Sequence, residues 1–233
     1  MTYNTNGKMK AITLSMDDGV LQDRRMVEIL NRYGLKCTFN LNSELFSVSN
    51  QISNGKVRVD HTKIAPSEVA KIYKGHEVAV HTLTHPNLTT LKEEDIIYQV
   101  EQDRANLSAL CGYEVVGMAY PCGGVNNDDR VAAVLKEKTG VLYSRTITST
   151  YSYDPQDNLY RFNPTIHAID PRTEEICKQF LEAEFDTPKL LYIWGHSYEF
   201  DFDESWDRFE RICQIISGHD DIFYGTNREV FGY

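Results

Sequence analysis

Short apolar runs of β-like character alternate along the chain with longer stretches whose apolar residues recur at helical spacing. Residues 21–33 are of the helical kind: their apolar positions fall on one face, and Gly34 follows where a left-handed C-terminal cap belongs. Because short strands alternate with helices, we expect parallel strands joined by right-handed crossovers, as in an α/β fold. The predicted strands cover seven ranges: 10–15, 36–41, 77–81, 115–119, 141–145, 189–194 and 221–224.

The clearest helices are predicted over 21–33, 91–110, 128–138 and 205–217. Thr89 or Thr90 is expected to cap the second of these, whose first turns are acidic, as the helix dipole favours. Two polar or aromatic-rich stretches, 47–64 and 146–169, show no clear period. They are predicted to be loops or small excursions, and long loops in a barrel of this type often shape the substrate groove.

The composition changes this picture little. The chain has 233 residues with no internal repeat and no Pro/Ser-rich linker, so it is predicted to be a single domain over residues 1–233. Its 24 Lys and Arg stand against 34 Asp and Glu, a net charge of −10, and the sequence has no basic stripe. A nucleic-acid partner is therefore not expected.

Cysteine usage and hydropathy point to a reducing compartment. The five cysteines are an odd number without C-x-x-C spacing, so neither a zinc ribbon nor a full disulfide framework is expected. Residues 1–10 are polar, and no run of about 18 apolar residues occurs, so neither a signal peptide nor a membrane span is expected. If Met1 is the native start, the expected location is cytoplasmic; a secreted protein trimmed of its leader would show the same pattern.

Polar residues immediately follow four of the predicted strands. Parallel α/β sheets and barrels carry their active sites at the carboxyl ends of the strands, so side chains placed there are candidates for chemistry. The four segments are Asp17-Asp18-Gly19, His81 to His85, Tyr120-Pro121-Cys122 and Trp194-Gly195-His196. Their shared position predicts one common site.

The residue types in these segments suit metal-assisted hydrolysis. His81 and His85 can reach a single ion, and a carboxylate from another strand end completes a set that suits Zn²⁺ or a similar divalent metal. Of the two neighbouring aspartates, one can bind the metal while the other serves as general base for a metal-activated water. His196, arriving from a different strand, could protonate the leaving group. The set predicts hydrolysis of an amide or an ester.

Each segment alone has a common structural explanation. Asp-Asp-Gly after a strand is usually a turn, and one H-x-x-x-H pair is often two surface or capped histidines. The functional interpretation rests on their joint placement, because four polar clusters fall at strand ends that were predicted without reference to them. The remaining histidines are predicted to be surface or loop residues: His61, His76, His167 and His219.

Taken together, the four segments resemble the motifs of the polysaccharide deacetylases, carbohydrate esterase family four. Residues 15–19, Ser-Met-Asp-Asp-Gly, resemble the first motif, Thr-Phe-Asp-Asp-Gly, and residues 81–85 match the second, His-Ser/Thr-x-x-His. Residues 119–123 are similar to the third motif, and 193–196 to the last. The resemblance runs from about residue 11 to residue 196.

This resemblance implies a distorted seven-stranded (β/α) barrel, similar to a TIM barrel, and metal-dependent removal of acetyl groups from an N- or O-acetylated oligo- or polysaccharide. One divalent ion is implied, with Zn²⁺ expected first and Co²⁺ or Ni²⁺ as alternatives. The backbone N–H of the third-motif cysteine would stabilise the oxyanion together with the metal. The roles carried over are Asp17 as base, His196 as acid, Asp18, His81 and His85 as metal ligands, and Tyr120, Pro121, Cys122 and Trp194 around the substrate.

The sequence departs from the family pattern in two supporting positions. Ala119 stands where many members have an arginine that orients the catalytic base, and no fourth motif is found to support the acid histidine. Arg145 or Arg161 is expected to supply the missing guanidinium. Asp154 or Asp170 is expected to orient the acid histidine.

Other functions are compatible with the same residues. The same fold and metal site could hydrolyse a small, possibly cyclic, non-sugar amide, or the chain could be a catalytically silent carbohydrate-binding barrel. A Cys122 nucleophile with His196 as its base would leave the other histidines unexplained. The net charge and the acidic residues near the predicted site favour a neutral or partly cationic substrate. The sequence leaves the oligomeric state open.

Overall fold

The computed structural model describes residues 3–233, and within this range the chain forms ten strands and seven helices. The strands are β1 (Lys10–Asp17), β2 (Cys37–Leu41), β3 (Gln51–Ser53), β4 (Arg58–Asp60), β5 (Glu77–Val80), β6 (Gly117–Ala119), β7 (Tyr143–Arg145), β8 (Ile166–His167), β9 (Lys189–Gly195) and β10 (Ile222–Tyr224). The helices are α1 (Asp23–Arg32), α2 (Val69–Ile72), α3 (Glu93–Cys111), α4 (Asp129–Lys138), α5 (Thr173–Glu182), α6 (Trp206–Ile216) and α7 (Asn227–Phe231).

Seven parallel strands form a curled half-barrel in the order β7-β6-β5-β2-β1-β9-β8. This confirms the α/β class and the distorted barrel. β10 pairs with the first part of β1, and β2 pairs with its last part, so both lie on the same side of β1. All seven predicted strands are present, but β10 lies off the main path and β8 takes the seventh place in it.

A short extended segment spans the gap between β7 and β9. The backbone N–H of Phe162 donates to Ser144 O at 3.0 Å, and the N–H of Thr165 donates to Tyr192 O at 2.9 Å. β8 follows directly and pairs with β9. The prediction of a loop or small excursion over 146–169 did not include this strand. The strand has only two residues, so it shows no period in the sequence and exists through its long-range pairing.

Both faces of the sheet are buried, as expected for parallel strands covered by helices. On β1, Ile12, Leu14 and Met16 belong to the larger core, which also contains buried residues of the flanking helices. The alternate residues of β1 point to the barrel interior, because successive side chains of a strand face opposite sides. Asp17 is the last residue of that inner series, so β1 delivers its carboxylate to the carboxyl end of the barrel interior.

The interior of the barrel is closed at the opposite end by α7. Val230 and Phe231 of α7 pack with Tyr143 of β7 and Tyr192 of β9. The side chain of Asn227 ties these parts together, because its Nδ2 donates to the Tyr192 hydroxyl at 2.6 Å. The floor of the barrel is thus filled by aromatic and apolar side chains together with hydrogen-bonded polar groups, and the cavity lies at the other end.

Two further local features differ from the expectations or add to them. The stretch 47–64 contains the antiparallel hairpin β3–β4, whose turn holds Asn54 and Gly55, a strong hairpin signal, with Gly55 at φ +88°. Thr89 and Thr90 lie in a separate 3₁₀ turn, and α3 begins after Lys92, which makes no side-chain cap. No helix in residues 3–233 is both long enough and apolar enough to cross a membrane.

Candidate active site

Polar side chains from several strand ends line one cavity of about 480 Å³ at the carboxyl end of the barrel. β1 provides the aspartates, β5 is followed by the histidine pair, and β9 ends next to His196. The hairpin β3–β4 and the segment before it form one wall. The lining side chains used below are Asp17, Asp18, His61, Lys63, His81, His85, Tyr120, Cys122, Trp194 and His196.

Asp18, His81 and His85 form a group that could hold a metal ion. The Nε2 atoms of His85 and His81 lie 3.6 and 4.0 Å from Asp18 Oδ1. One ligand atom from each residue lies within 4.8 Å of the other two. These separations suit an ion bonded to each atom at roughly 2.0–2.2 Å, as zinc is by imidazole and carboxylate.

The hydrogen bonds around His81 leave Nε2 free for such an ion. Its Nδ1 lies 2.9 Å from the carbonyl oxygen of Ala119, so Nδ1 carries the proton and donates. Burial lowers the pKa of His81 to about 4, which keeps the ring neutral, the state that ligates metals. The residues present therefore fit a divalent cation.

Asp18 is held in an unusual backbone conformation, with φ at +84°. The Lys63 ammonium donates to the Asp18 carbonyl oxygen at 2.7 Å and lies 3.2 Å from Oδ1. His61 Nε2 lies 3.2 Å from Oδ2. Burial by itself would raise the pKa of Asp18, but His61 and Lys63 hold it well below its usual range. The following Gly19 also needs φ above zero, and a Cβ there would lie 2.8 Å from Leu41 Cδ2.

Asp17 is paired with Arg145, which lies at the end of β7. The guanidinium of Arg145 donates through Nη2 to both carboxylate oxygens, and both side chains are almost fully buried. Asn40 Nδ2 donates to Asp17 Oδ1 at 2.8 Å. Burial by itself would raise the pKa of Asp17, but Arg145 and the nearby histidines lower it. A carboxylate that is ionised at neutral pH can accept a proton.

Of the two arginines considered from the sequence, Arg145 is the one that reaches Asp17, the predicted base. Arg161 pairs with Asp129 at 2.5 Å, on the side of α4. Arg145 also lies over the ring of Trp194, with its guanidinium carbon 4.6 Å from the ring centroid. The guanidinium therefore comes from the neighbouring strand β7 rather than from position 119.

His196 is oriented by Glu199, three residues further along the chain. Its Nδ1 lies 3.2 Å from Glu199 Oε2, and its backbone N–H donates to the same oxygen at 3.0 Å. The other ring nitrogen, Nε2, faces Asp17 and lies 3.9 Å from its Oδ2. Burial would lower the pKa of His196, but Glu199 and the two aspartates raise it to about 9. The imidazole is thus protonated at neutral pH and can act as an acid.

The two aspartates proposed from the sequence to orient His196 do not contact it. Asp154 pairs with Lys189 at 2.6 Å, and Asp170 pairs with Arg172 at 2.8 Å. Both predictions are wrong because the spacing of one turn already brings Glu199 back to the histidine. A polar residue followed three positions later by glutamate is the capping-box pattern, and this signal was available in the sequence.

The predicted substrate-binding residues occupy different places. Tyr120, Cys122 and Trp194 line the cavity, whereas Pro121 is buried and, within residues 3–233, is not part of the cavity lining. Cys122 has φ at +68°, and its Sγ lies 3.4 Å from the carbonyl oxygen of His85. Asn126 holds this turn, because its Nδ2 donates to the carbonyl oxygen of Cys122 at 2.8 Å.

Sequence reasoning missed three further residues around the site. His61 and His167, predicted to be surface or loop residues, are mostly buried and contact Asp18 and Glu199. His61 and Lys63 come from the stretch interpreted as a loop, and no local pattern marks them. His167 ends β8, so the search for polar residues at strand ends would have found it if that strand had been recognised.

Glu199→Gln is expected to move the alkaline limb of the activity profile towards lower pH by at least about one unit. Burial by itself lowers the pKa of His196, and Glu199, with the two aspartates, raises it to about 9. Without the Glu199 carboxylate the pKa falls, so the imidazole loses its proton at a lower pH. The measurement is kcat/KM between pH 6 and 10, with the exposed Asp203→Asn as control. An unchanged alkaline limb would show that Glu199 does not determine the pKa of His196.

A curled parallel barrel that gathers carboxylates and histidines at the carboxyl ends of its strands has the arrangement found at the active sites of α/β-barrel enzymes. Residues 4–140 match the family model described as polysaccharide deacetylase. This is more than half of the chain, and the chain belongs to that family.

Solved structures with the same fold include three esterases or deacetylases. A family 4 carbohydrate esterase from Streptomyces lividans in complex with acetate is 14% identical, with 94% of this chain and 93% of that chain covered and a TM-score of 0.57. A peptidoglycan deacetylase from Bacillus subtilis is 16% identical, with 95% and 90% covered and a TM-score of 0.57. A family 4 acetyl xylan esterase from Clostridium thermocellum, in complex with a cobalt ion, is 13% identical, with 95% and 90% covered and a TM-score of 0.60. At these identities the likeness concerns the fold.

Proposed function

We propose that this protein is a metal-dependent deacetylase that removes acetyl groups from an acetylated carbohydrate. The observation that carries the proposal is the convergence of three groups on one cavity. These are the Asp18/His81/His85 cluster, the Asp17 carboxylate held ionised by Arg145, and the His196 imidazole kept protonated by Glu199. A base and an acid whose pKa values are moved apart, beside a cation site, suit hydrolysis of an amide or ester.

The chain's own residues divide the work by position. A divalent cation held by Asp18, His81 and His85 would polarise the acetyl carbonyl and make water more acidic. Asp17 accepts the proton of the attacking water, and its pairing with Arg145 fixes the direction of its oxygens. His196 donates a proton to the departing amine or alkoxide oxygen. Trp194 and the turn at Cys122 bound the space for the acetyl group.

Zinc is the first candidate for the cation, with Co²⁺ or Ni²⁺ as alternatives. Two imidazoles and one carboxylate are a donor set that suits borderline divalent metals. Structures similar to this chain include a carbohydrate esterase with acetate and an acetyl xylan esterase with cobalt. They support an acetylated oligo- or polysaccharide as the substrate. The net charge of −10 further favours a neutral or partly cationic saccharide.

The test is acetate release from a panel of acetylated chito-oligosaccharides, acetylated xylo-oligosaccharides and small linear and cyclic amides. We expect turnover of at least one saccharide, loss of it after chelation, and recovery when one equivalent of Zn²⁺ is added back. Asp18→Asn should lose activity and bound metal together, whereas Asp203→Asn should keep both.

Two results would overturn the proposal. Hydrolysis of a small amide with no acetate released from any saccharide would favour the amidohydrolase function. Full activity of Asp18→Asn after chelation would exclude metal-dependent hydrolysis at this site.

A further inference from the structure

Glu199 contacts a second histidine besides His196. His167, at the end of β8, places its Nε2 at 3.3 Å from Glu199 Oε2. The same oxygen lies 3.2 Å from His196 Nδ1. The carboxylate therefore lies between two imidazoles, and the side chains of all three residues are less than one-fifth exposed.

The contacts of His167 indicate which of its two ring nitrogens carries the proton. The backbone N–H of Ile169 donates to His167 Nδ1 at 3.4 Å, so Nδ1 is an acceptor and the ring proton is on Nε2. Burial lowers the pKa of His167, which keeps the ring neutral. Nε2 then carries the proton and lies 3.3 Å from Glu199 Oε2, at a distance from which it can donate to that carboxylate.

These three residues also lie close enough together to hold a cation. The hydrogen bond from Ile169 argues against this, because an imidazole that binds a metal through Nε2 needs its proton on Nδ1. A neutral donor is the role that agrees with the contacts on both ring nitrogens. One bound metal ion per chain is therefore expected rather than two.

The ring of His167 is itself held firmly. It packs edge-on against Trp194, with centroids 4.3 Å apart, and lies 6.2 Å from the ring of His196. Trp194 in turn lies against Arg145, the partner of the base. A rigid donor at this position restricts the rotation of the Glu199 carboxylate, so one oxygen stays directed at His196 Nδ1.

We propose that His167 is a positioning residue that acts through Glu199 to hold His196 for proton donation to the leaving group. The inference rests on the proposed function, in which His196 is the acid. His167 belongs to none of the four motif segments, because it lies on β8, and none of those segments follows that strand. The effect of substituting His167 on kcat should therefore depend on how strongly the leaving group needs to be protonated.

The leaving group provides the test. An amine leaving from an acetamido sugar must be protonated, whereas 4-nitrophenolate leaves from 4-nitrophenyl acetate without protonation. We expect His167→Met to lower the ratio of kcat on the amide to kcat on the aryl ester about tenfold. His167→Gln, whose amide N–H₂ can still donate, should restore most of this ratio, and His219→Met, at a histidine that contacts Ile215 instead, is the control.

The outcomes separate the two proposals. If His167→Met lowers both activities equally, or if His167→Gln lowers the ratio as much as His167→Met does, the positioning role is excluded while the deacetylase function remains. If the wild-type protein hydrolyses the aryl ester but no acetylated sugar, the proposed function fails. Bound metal near two ions per chain, falling to one in His167→Met, would assign these residues to a cation instead.

Discussion

Asp17→Asn is expected to lower kcat for acetate release about 10²–10⁴-fold, with little change in KM. The amide cannot accept a proton from water, yet it has the size of the carboxylate and can still accept hydrogen bonds from Arg145 and Asn40. The substitution also leaves the buried Arg145 cation without its counter-charge and therefore lowers stability. In the folded protein these hydrogen bonds keep the site assembled, so the loss of activity falls on the chemical step rather than on substrate binding. The measurement is steady-state kinetics at saturating metal, with bound metal determined on the same sample.

Cys122→Ala is the matched comparison for this experiment. The thiol lines the same cavity, and nucleophilic attack by Cys122 was the competing mechanism. Burial, together with the Asp18 carboxylate, raises the pKa of the Cys122 thiol, which disfavours the reactive thiolate. We therefore expect this variant to keep activity within about tenfold of wild type. If Cys122→Ala were inactive and Asp17→Asn active, the roles assigned to the two residues would be reversed.

The sequence predicts well those parts of the site that lie directly at strand ends. Asp17, His81 and His196 each follow an apolar run, and a strand fixes where its last residue points. The parallel sheet then brings these ends together even though the residues are far apart in the chain. Their roles came from chemistry and from the family resemblance, and the distances here are compatible with them.

The supporting contacts are less predictable because they depend on how loops return to the site. His61 and Lys63 reach Asp18 because the segment after the hairpin β3–β4 runs antiparallel to the segment after β1, with Lys63 bridged to Val20. Arg145 and Arg161 were equivalent choices in the sequence, and only the pairing of β6 with β7 places the first beside Asp17. Glu199 is the exception, since its spacing from His196 was visible as a capping pattern.

Arg145→Met is expected to lower the free energy of unfolding by about 3–5 kcal/mol at pH 7 and to reduce activity sharply. Arg145 is completely buried, and its guanidinium is the main counter-charge of the buried Asp17 carboxylate. Removing one member of such a pair leaves an uncompensated charge in the interior, which costs more than the intact pair contributes. Denaturant unfolding, followed by tryptophan fluorescence, would measure the loss.

The stability difference between the wild-type protein and Arg145→Met should depend on pH. In the wild-type protein the pKa of Asp17 is lowered, so its stabilising contribution is present above the unfolded-state pKa and is lost as pH falls. In Arg145→Met burial acts without its counter-charge and raises that pKa, so the penalty disappears as the carboxyl takes up a proton. The stability gap between the two proteins should therefore narrow towards about pH 4.

A double variant shows whether Arg145→Met loses stability through the unpaired charge of Asp17 or through lost packing. Arg145→Met with Asp17→Asn removes both charges, so most of the lost stability should return, although activity should stay low because the base is absent. If the double variant were as unstable as the sum of the two single variants, the two residues would not be coupled. Arg145 would then stabilise the fold through its packing on Trp194 rather than through the charge of Asp17.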